Sequence, residues 1–185
     1  MPFVNWLPNL LTLLRVILAP FIIADVLDGQ CHVALPLSMI AAFTDAADGY
    51  LARRLGVESR LGAWADPLAD KALHIGLFIS FGYGGLIPVW LVWLVVGRDV
   101  LILAMVAFAM ATTSIRDFPP TMWGKLSTVI QLAAAVVLLG SCSGYELAAL
   151  MVPAVVPAVS LITAWSGIHY VWVAVRRRRA HNQIV

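Results

Sequence analysis

The sequence predicts an all-α integral membrane protein with six transmembrane helices. Three observations lead there. The 185 residues are 62% hydrophobic and only 12% charged, where a soluble domain carries roughly 25% charged residues. The mean hydropathy of +0.92 is more than one soluble core can absorb. The apolar residues also gather into six runs, each near the roughly 20 residues that cross a bilayer.

The first run extends from about Asn9 to Val26. Pro8 suits the first turn of its helix, where a missing N–H costs nothing. Phe3, Val4, Trp6 and Leu7 precede it and predict a short N-terminal interfacial segment. The second run spans about His32 to Leu51, the third Leu61 to Phe81 and the fourth Ile87 to Met110. The fifth spans about Gly124 to Leu139 and the sixth Leu147 to Val175. Pro153 and Pro157 predict a bend or a separate short segment at the start of the sixth. The opening MPFVNWLPNLLTLLRVILAP has no basic leader region, and Arg15 interrupts its apolar stretch, so it reads as retained. The chain is expected to form one membrane domain over 1–180, with a tail at 181–185.

A net charge of +2 says little, but its distribution says more. Arg53, Arg54 and Arg60 flank the second loop, Arg116 and Lys125 the fourth, and Arg176 to Arg179 form the tail. The first, third and fifth loops contain no Lys or Arg. The positive-inside rule then places both termini and the second loop in the cytoplasm, with the active-site cavity open to that side. Without an Arg- and Ser-rich leader, the expected location is a bacterial cytoplasmic (inner) membrane. Cys31 and Cys142 fall on the outward side and lack metal-ligand spacing. An oxidising compartment would permit a disulfide; free thiols are the expected state.

Asp45, Asp48, Asp66 and Asp70 lie in one stretch, FTDAADGYLARRLGVESRLGAWADPLADKA, with oily runs on both sides. A carboxylate at the centre of a membrane helix costs about 2.5–3.5 kcal/mol or more, and close neighbours repel one another. Divalent ions are the simplest compensation. Asp45 and Asp48 share a helix face, as do Gly62, Asp66 and Asp70. The short link predicts that the two helices are antiparallel neighbours and that the four carboxylates converge on one pocket. Oxygen-only ligands select Mg²⁺ or Mn²⁺, and two such ions would balance four negative charges and clamp a diphosphate. Gly49 and Gly62 leave room for a ligand, and Arg53 offers a phosphate donor. The bland reading is an ion or proton transporter, whose carboxylates would be dispersed along a path rather than held at one depth.

These residues spell D-x2-D-G-x2-A-R-x8-G-x3-D-x3-D, through Asp45, Asp48, Gly49, Ala52, Arg53, Gly62, Asp66 and Asp70. That resembles the signature of the CDP-alcohol phosphatidyltransferases, with no departure. PNLLTLLR, GRDVLI and GKLSTVIQ look like the first, fourth and fifth spans of that family. The resemblance implies six spans, a homodimer and a metal pair held by Asp45, Asp48, Asp66 and Asp70, with Asp70 also the base. It implies that Gly49, Ala52, Arg53 and Gly62 contact the CDP moiety of CDP-diacylglycerol. The acceptor oxygen would attack the lipid-side phosphorus and CMP would leave.

Asn9, Thr12 and Arg15 are further candidates for the nucleotide or substrate. Their structural alternatives are a cap, a Thr bonded to its own helix and an Arg snorkelling to the surface. Arg98 and Lys125 suit a phosphate on the acceptor. Arg98 lies mid-span, so it must face the cavity or pair with an acid such as Asp99 or Asp70. LIPVWLVWLVVGRDVLILAMVAFAM and ADPLADK look like the cardiolipin synthases of mitochondria and some bacteria. The expected acceptor is therefore phosphatidylglycerol, with glycerol 3-phosphate the alternative. Lys71 is expected to reach a neighbour, and His74 and His169 to be structural. The Trp residues fit interfacial belts. Arg176 to Arg179 fit anionic lipid rather than nucleic acid.

Overall fold

The structure is a computed structural model. It describes the backbone of residues 7–55, 62–112 and 121–182, and the side chains of 13–44, 71–105 and 121–176. The proposed interfacial residues Phe3, Val4 and Trp6 lie outside it. Six helices appear, α1 (Leu7–Leu27), α2 (Cys31–Leu55), α3 (Gly62–Tyr83), α4 (Val89–Thr112), α5 (Met122–Cys142) and α6 (Glu146–Asn182), and no strand among the described residues. Each overlaps one predicted apolar run.

Local chemistry sets several ends. α5 starts at Thr121, whose hydroxyl accepts the Gly124 N–H and satisfies one orphan donor of the first turn. α1, α3 and α5 all stop in the same way. Gly29, Gly85 and Gly144 each take a left-handed φ, at 72°, 73° and 90°. The following N–H in each case returns to the carbonyl five residues back, Gln30 to Asp25, Leu86 to Phe81 and Tyr145 to Gly140. This is the Schellman closure, which glycine permits without a Cβ penalty. Each is followed within a few residues by the next helix, so α1/α2, α3/α4 and α5/α6 form hairpins.

The sixth element departs from expectation. Pro153 and Pro157 lie inside one unbroken helix and mark off no separate segment. They are four apart, so the two missing backbone bonds fall on one side, and the chain continues past them. Interior prolines are tolerated in membrane helices where neighbours and Ser or Thr side chains take up freed backbone groups.

The helices close into a ring in the order α1, α2, α5, α6, α4, α3, with α3 returning to α1. The expected pairing of α2 with α3 at their 45–55 and 62–70 ends lies outside the residues whose side chains are described. Among the described residues each packs on α1, which sits between them. Ile22 and Val26 of α1 are buried, and Gly76 of α3 admits Ile23, whose side chain occupies the space a Cβ would need. Across the ring, Cys31 and Cys142 are joined in a disulfide with Cα atoms 5.6 Å apart. The expected free thiols are thus corrected. Ring closure brings the start of α2 beside the end of α5, two ends that the loop charges had assigned to one side.

The radial distribution runs opposite to that of a soluble domain. Phe43, Trp93, Met122, Leu147, Leu150 and Leu161 all point outward and are at least 71% exposed. Arg15, Asp99, Ser127, Gln131, Thr163 and Ser166 are buried. Large contiguous apolar surface marks an interaction with lipid or protein, and buried ionisable groups in such a bundle face its interior. Among the described residues, α5 and the 146–176 part of α6 are long and apolar enough to cross a membrane, by length and composition.

Candidate functional site

The aspartate positions share helical spacing with buried residues of α2 and α3. On α2, Ala34 and Ala41 are fully buried, and positions 45, 48 and 52 continue their line at steps of four, three and four. On α3, Leu77 and Phe81 are buried, and positions 66, 70 and 74 precede them in the same line. On α1, Arg15, Ile22 and Val26 are buried, with position 12 one turn earlier. The side chains of Asn9, Thr12, Asp45, Asp48, Gly49, Ala52, Arg53, Gly62, Asp66 and Asp70 lie outside the described residues, and no metal-capable cluster occurs among those described. The donor set suits hard divalent cations, because it is all carboxylate. The residue types therefore fit such ions.

The described part of the site centres on Asp99 of α4, whose side chain is 3% exposed. Its Oδ1 accepts from Arg98 Nη1 at 2.7 Å and meets Lys71 Nζ of α3 at 3.0 Å. His74 Nδ1, also on α3, lies 3.8 Å from Oδ2. The His74 ring tilts against Phe78 with centroids 4.9 Å apart. Arg98 Nη2 donates to Ser166 Oγ of α6 at 2.8 Å and reaches the Gly124 carbonyl of α5 at 3.5 Å. Gly124 makes this approach possible, since a Cβ there would stand 3.3 Å from Nη2. One acid and one arginine thus bind four helices together.

The two roles set out for Arg98 are therefore partly resolved. It does pair with Asp99, yet among the described residues its buried Nε has no hydrogen-bond partner, so the guanidinium retains a donor. Lys125 stands exposed one residue after Gly124. Arg15 is 2% exposed, which removes the snorkelling alternative. Lys71 does reach a neighbouring helix. His169 packs by its ring near Trp172. The sequence had offered Asp99 only as a partner for Arg98. The signal for its larger role was the placement of Lys71 and His74 three apart on one helix, where one acid from another helix can meet both.

Residues 5–175 match the CDP-alcohol phosphatidyltransferase family. The chain belongs to that family. Among curated CDP-alcohol phosphatidyltransferases, it is 34% identical over 151 residues to a probable cardiolipin synthase (CMP-forming) of Drosophila melanogaster, covering 73% of this chain and 47% of that one. It is 34% identical over 177 residues to a probable phosphatidylglycerophosphate synthase of Mycobacterium tuberculosis, covering 92% and 82%. It is 39% identical over 143 residues to a CDP-diacylglycerol–glycerol-3-phosphate 3-phosphatidyltransferase of Cereibacter sphaeroides, covering 72% and 63%. The chain spans about half the length of the first of these.

Proposed function

We propose that this chain transfers the phosphatidyl group of CDP-diacylglycerol to an alcohol acceptor and releases CMP. The acceptor proposed is phosphatidylglycerol, which makes the product cardiolipin. The observation that carries the transfer reaction is the complete eight-position signature within a family match over 5–175. In this reading all six helices cross a bacterial inner membrane, both termini and the cavity face the cytoplasm, and two copies pair as a homodimer.

Asp45, Asp48, Asp66 and Asp70 would hold two Mg²⁺ or Mn²⁺ ions, which when bound supply neutralisation of the phosphoryl charge. Gly49, Ala52, Arg53 and Gly62 contact the cytidine diphosphate, with Asn9 and Thr12 beside it. Asp70 takes the proton of the acceptor hydroxyl. The acceptor oxygen forms a bond to the lipid-side phosphorus as the bond from that phosphorus to the CMP oxygen breaks. Arg98, Lys125 and Arg15 receive the acceptor's phosphate as charge-assisted donors. The chain's contribution is positioning, which suits a reaction governed by alignment and electrostatics. Family membership gives the ion-transporter alternative no support.

A second reading has a specific observation behind it. The mycobacterial relative aligned over 92% of this chain is named a phosphatidylglycerophosphate synthase, so glycerol 3-phosphate is the alternative acceptor. An acceptor panel decides between them. Purified protein is incubated with labelled CDP-diacylglycerol, Mn²⁺ or Mg²⁺ and each alcohol in turn, and the lipid product is identified. Cardiolipin from phosphatidylglycerol is expected. Phosphatidylglycerophosphate from glycerol 3-phosphate would install the second reading, and no CMP with any acceptor would end both.

A further inference from the structure

We infer that Asp99 is a positioning residue that sets the rotation of α3, and with it the placement of positions 66 and 70. The inference rests on the reading of Asp66 and Asp70 as metal ligands. Asp99 meets α3 twice, through Lys71 at 3.0 Å and His74 at 3.8 Å. Those residues stand one and four places after Asp70 on an unbroken helix. Successive residues on a helix turn by about 100°, so the Lys71 tie, with His74 packed 3.8 Å from the same carboxylate, favours one rotation of α3. A functional constellation needs its groups held within about 0.5 Å and 10–20°.

A purely neutralising role does not account for the arrangement. Arg98 already compensates Asp99 at 2.7 Å, from the adjacent position on the same helix. Lys71 is not needed for charge balance, and its side chain is 32% exposed, so water is within its reach. Holding a long flexible side chain on a buried acid costs rotamer entropy. What that contact adds is a tie from α4 to the residue next to Asp70. Ser166 and Gly124 fix the other end by seating Arg98 against α5 and α6.

The test uses the full chain in detergent micelles. Mn²⁺ binding is titrated by the EPR signal of the free ion, and CMP release is measured on the same samples. Asp99→Asn keeps the shape and loses the charge. Lys71→Met cuts the tie while leaving Asp99 paired with Arg98, so it guards against a folding defect. Both should weaken Mn²⁺ binding by about 10–100-fold, as loss of an outer-shell support does. Both should lower kcat; Lys71→Met should leave the acceptor KM nearly unchanged, Asp99→Asn should also raise it by loosening Arg98, and the double variant should be no worse than Asp99→Asn alone. Unchanged Mn²⁺ binding in both singles, or an effect on acceptor KM alone, overturns the inference while the functional reading stands. A parent protein that neither binds Mn²⁺ nor releases CMP overturns both together.

Discussion

Gln131 of α5 donates its side-chain N–H to Thr163 Oγ1 of α6 at 2.8 Å, and both residues are buried. The two helices meet antiparallel, since Gly140 lies against Ala148 at the other end of the same seam. Within apolar surroundings a stranded amide has few other partners. Thr163→Val should therefore lower unfolding free energy by about 1 kcal/mol, within the range of interhelical hydrogen bonds in membranes. Adding Gln131→Leu should cost less than the sum, because no polar group is then left unpaired. A double-mutant cycle from SDS-titrated unfolding measures this coupling.

Close backbone approach holds the other end of the seam. A Cβ added at Gly140 would stand 3.0 Å from the Ala148 Cβ. Alanine has no rotamer with which to move away, so the helices themselves must separate. Gly140→Val should cost about 1–3 kcal/mol, the usual penalty of overpacking. Ala148→Gly in the same chain should recover part of it, read as the midpoint of thermal unfolding in detergent.

Cys31 is 1% exposed and bonded to Cys142 across a sequence separation of 111 residues. A bond that closes so long a loop restricts the unfolded chain, and loss of a native disulfide typically costs 2–5 kcal/mol in small domains. The membrane-inserted chain is already restricted, so about 2 kcal/mol is expected for Cys31→Ser with Cys142→Ser. Thiol titration of the parent in denaturant without reductant should find no free thiol. Two titratable thiols would show that this end faces a reducing compartment.

The helices were legible because a bilayer sets their length and glycine sets their ends, both of which are local signals. Ring order was not. The packing of α1 on α3 depends on Ile23 entering the space left by Gly76, a tertiary fit that adjacency along the chain does not encode. The disulfide was missed for the same reason, since only ring closure brings α2 beside α5. The prolines of α6 left a bend or a separate segment open, and the unbroken helix removes only the second. Of the candidate site, the aspartate signature was readable from spacing alone. The Lys71–Asp99 tie required knowing that α3 and α4 face each other at that height.

Arg98 provides a prediction that separates the two substrates. Its guanidinium is anchored on Asp99 and Ser166, and its buried Nε has no partner among the described residues. Losing hydrogen bonds from a charged donor is worth about 1.5–3 kcal/mol each. Arg98→Ala should accordingly raise the acceptor KM about tenfold or more, with a much smaller change for CDP-diacylglycerol. Ser166→Ala should shift the acceptor KM in the same direction by less, because it loosens the guanidinium without removing it. Steady-state kinetics with each substrate varied in turn would remove Arg98 from the acceptor site if both KM values rose equally.

Asp70 carries the heaviest claim, as ligand and as base. A metal-bound carboxylate is a weak base, so the dual role requires that Asp70 lose more than its fellow ligands when neutralised. Asp70→Asn should lower kcat by about 10²–10⁴-fold, the usual contribution of a positioned base. That deficit should persist at saturating Mn²⁺, since added ion restores occupancy but not proton removal. Asp45→Asn should instead be partly relieved by high Mn²⁺, because a ligand defect is first a defect of affinity. Chelator should abolish CMP release from the parent, and excess Mn²⁺ should restore it. CMP release followed across a Mn²⁺ series for the three proteins separates the roles. Equal relief of both variants would leave Asp70 a ligand alone and return the base to another group.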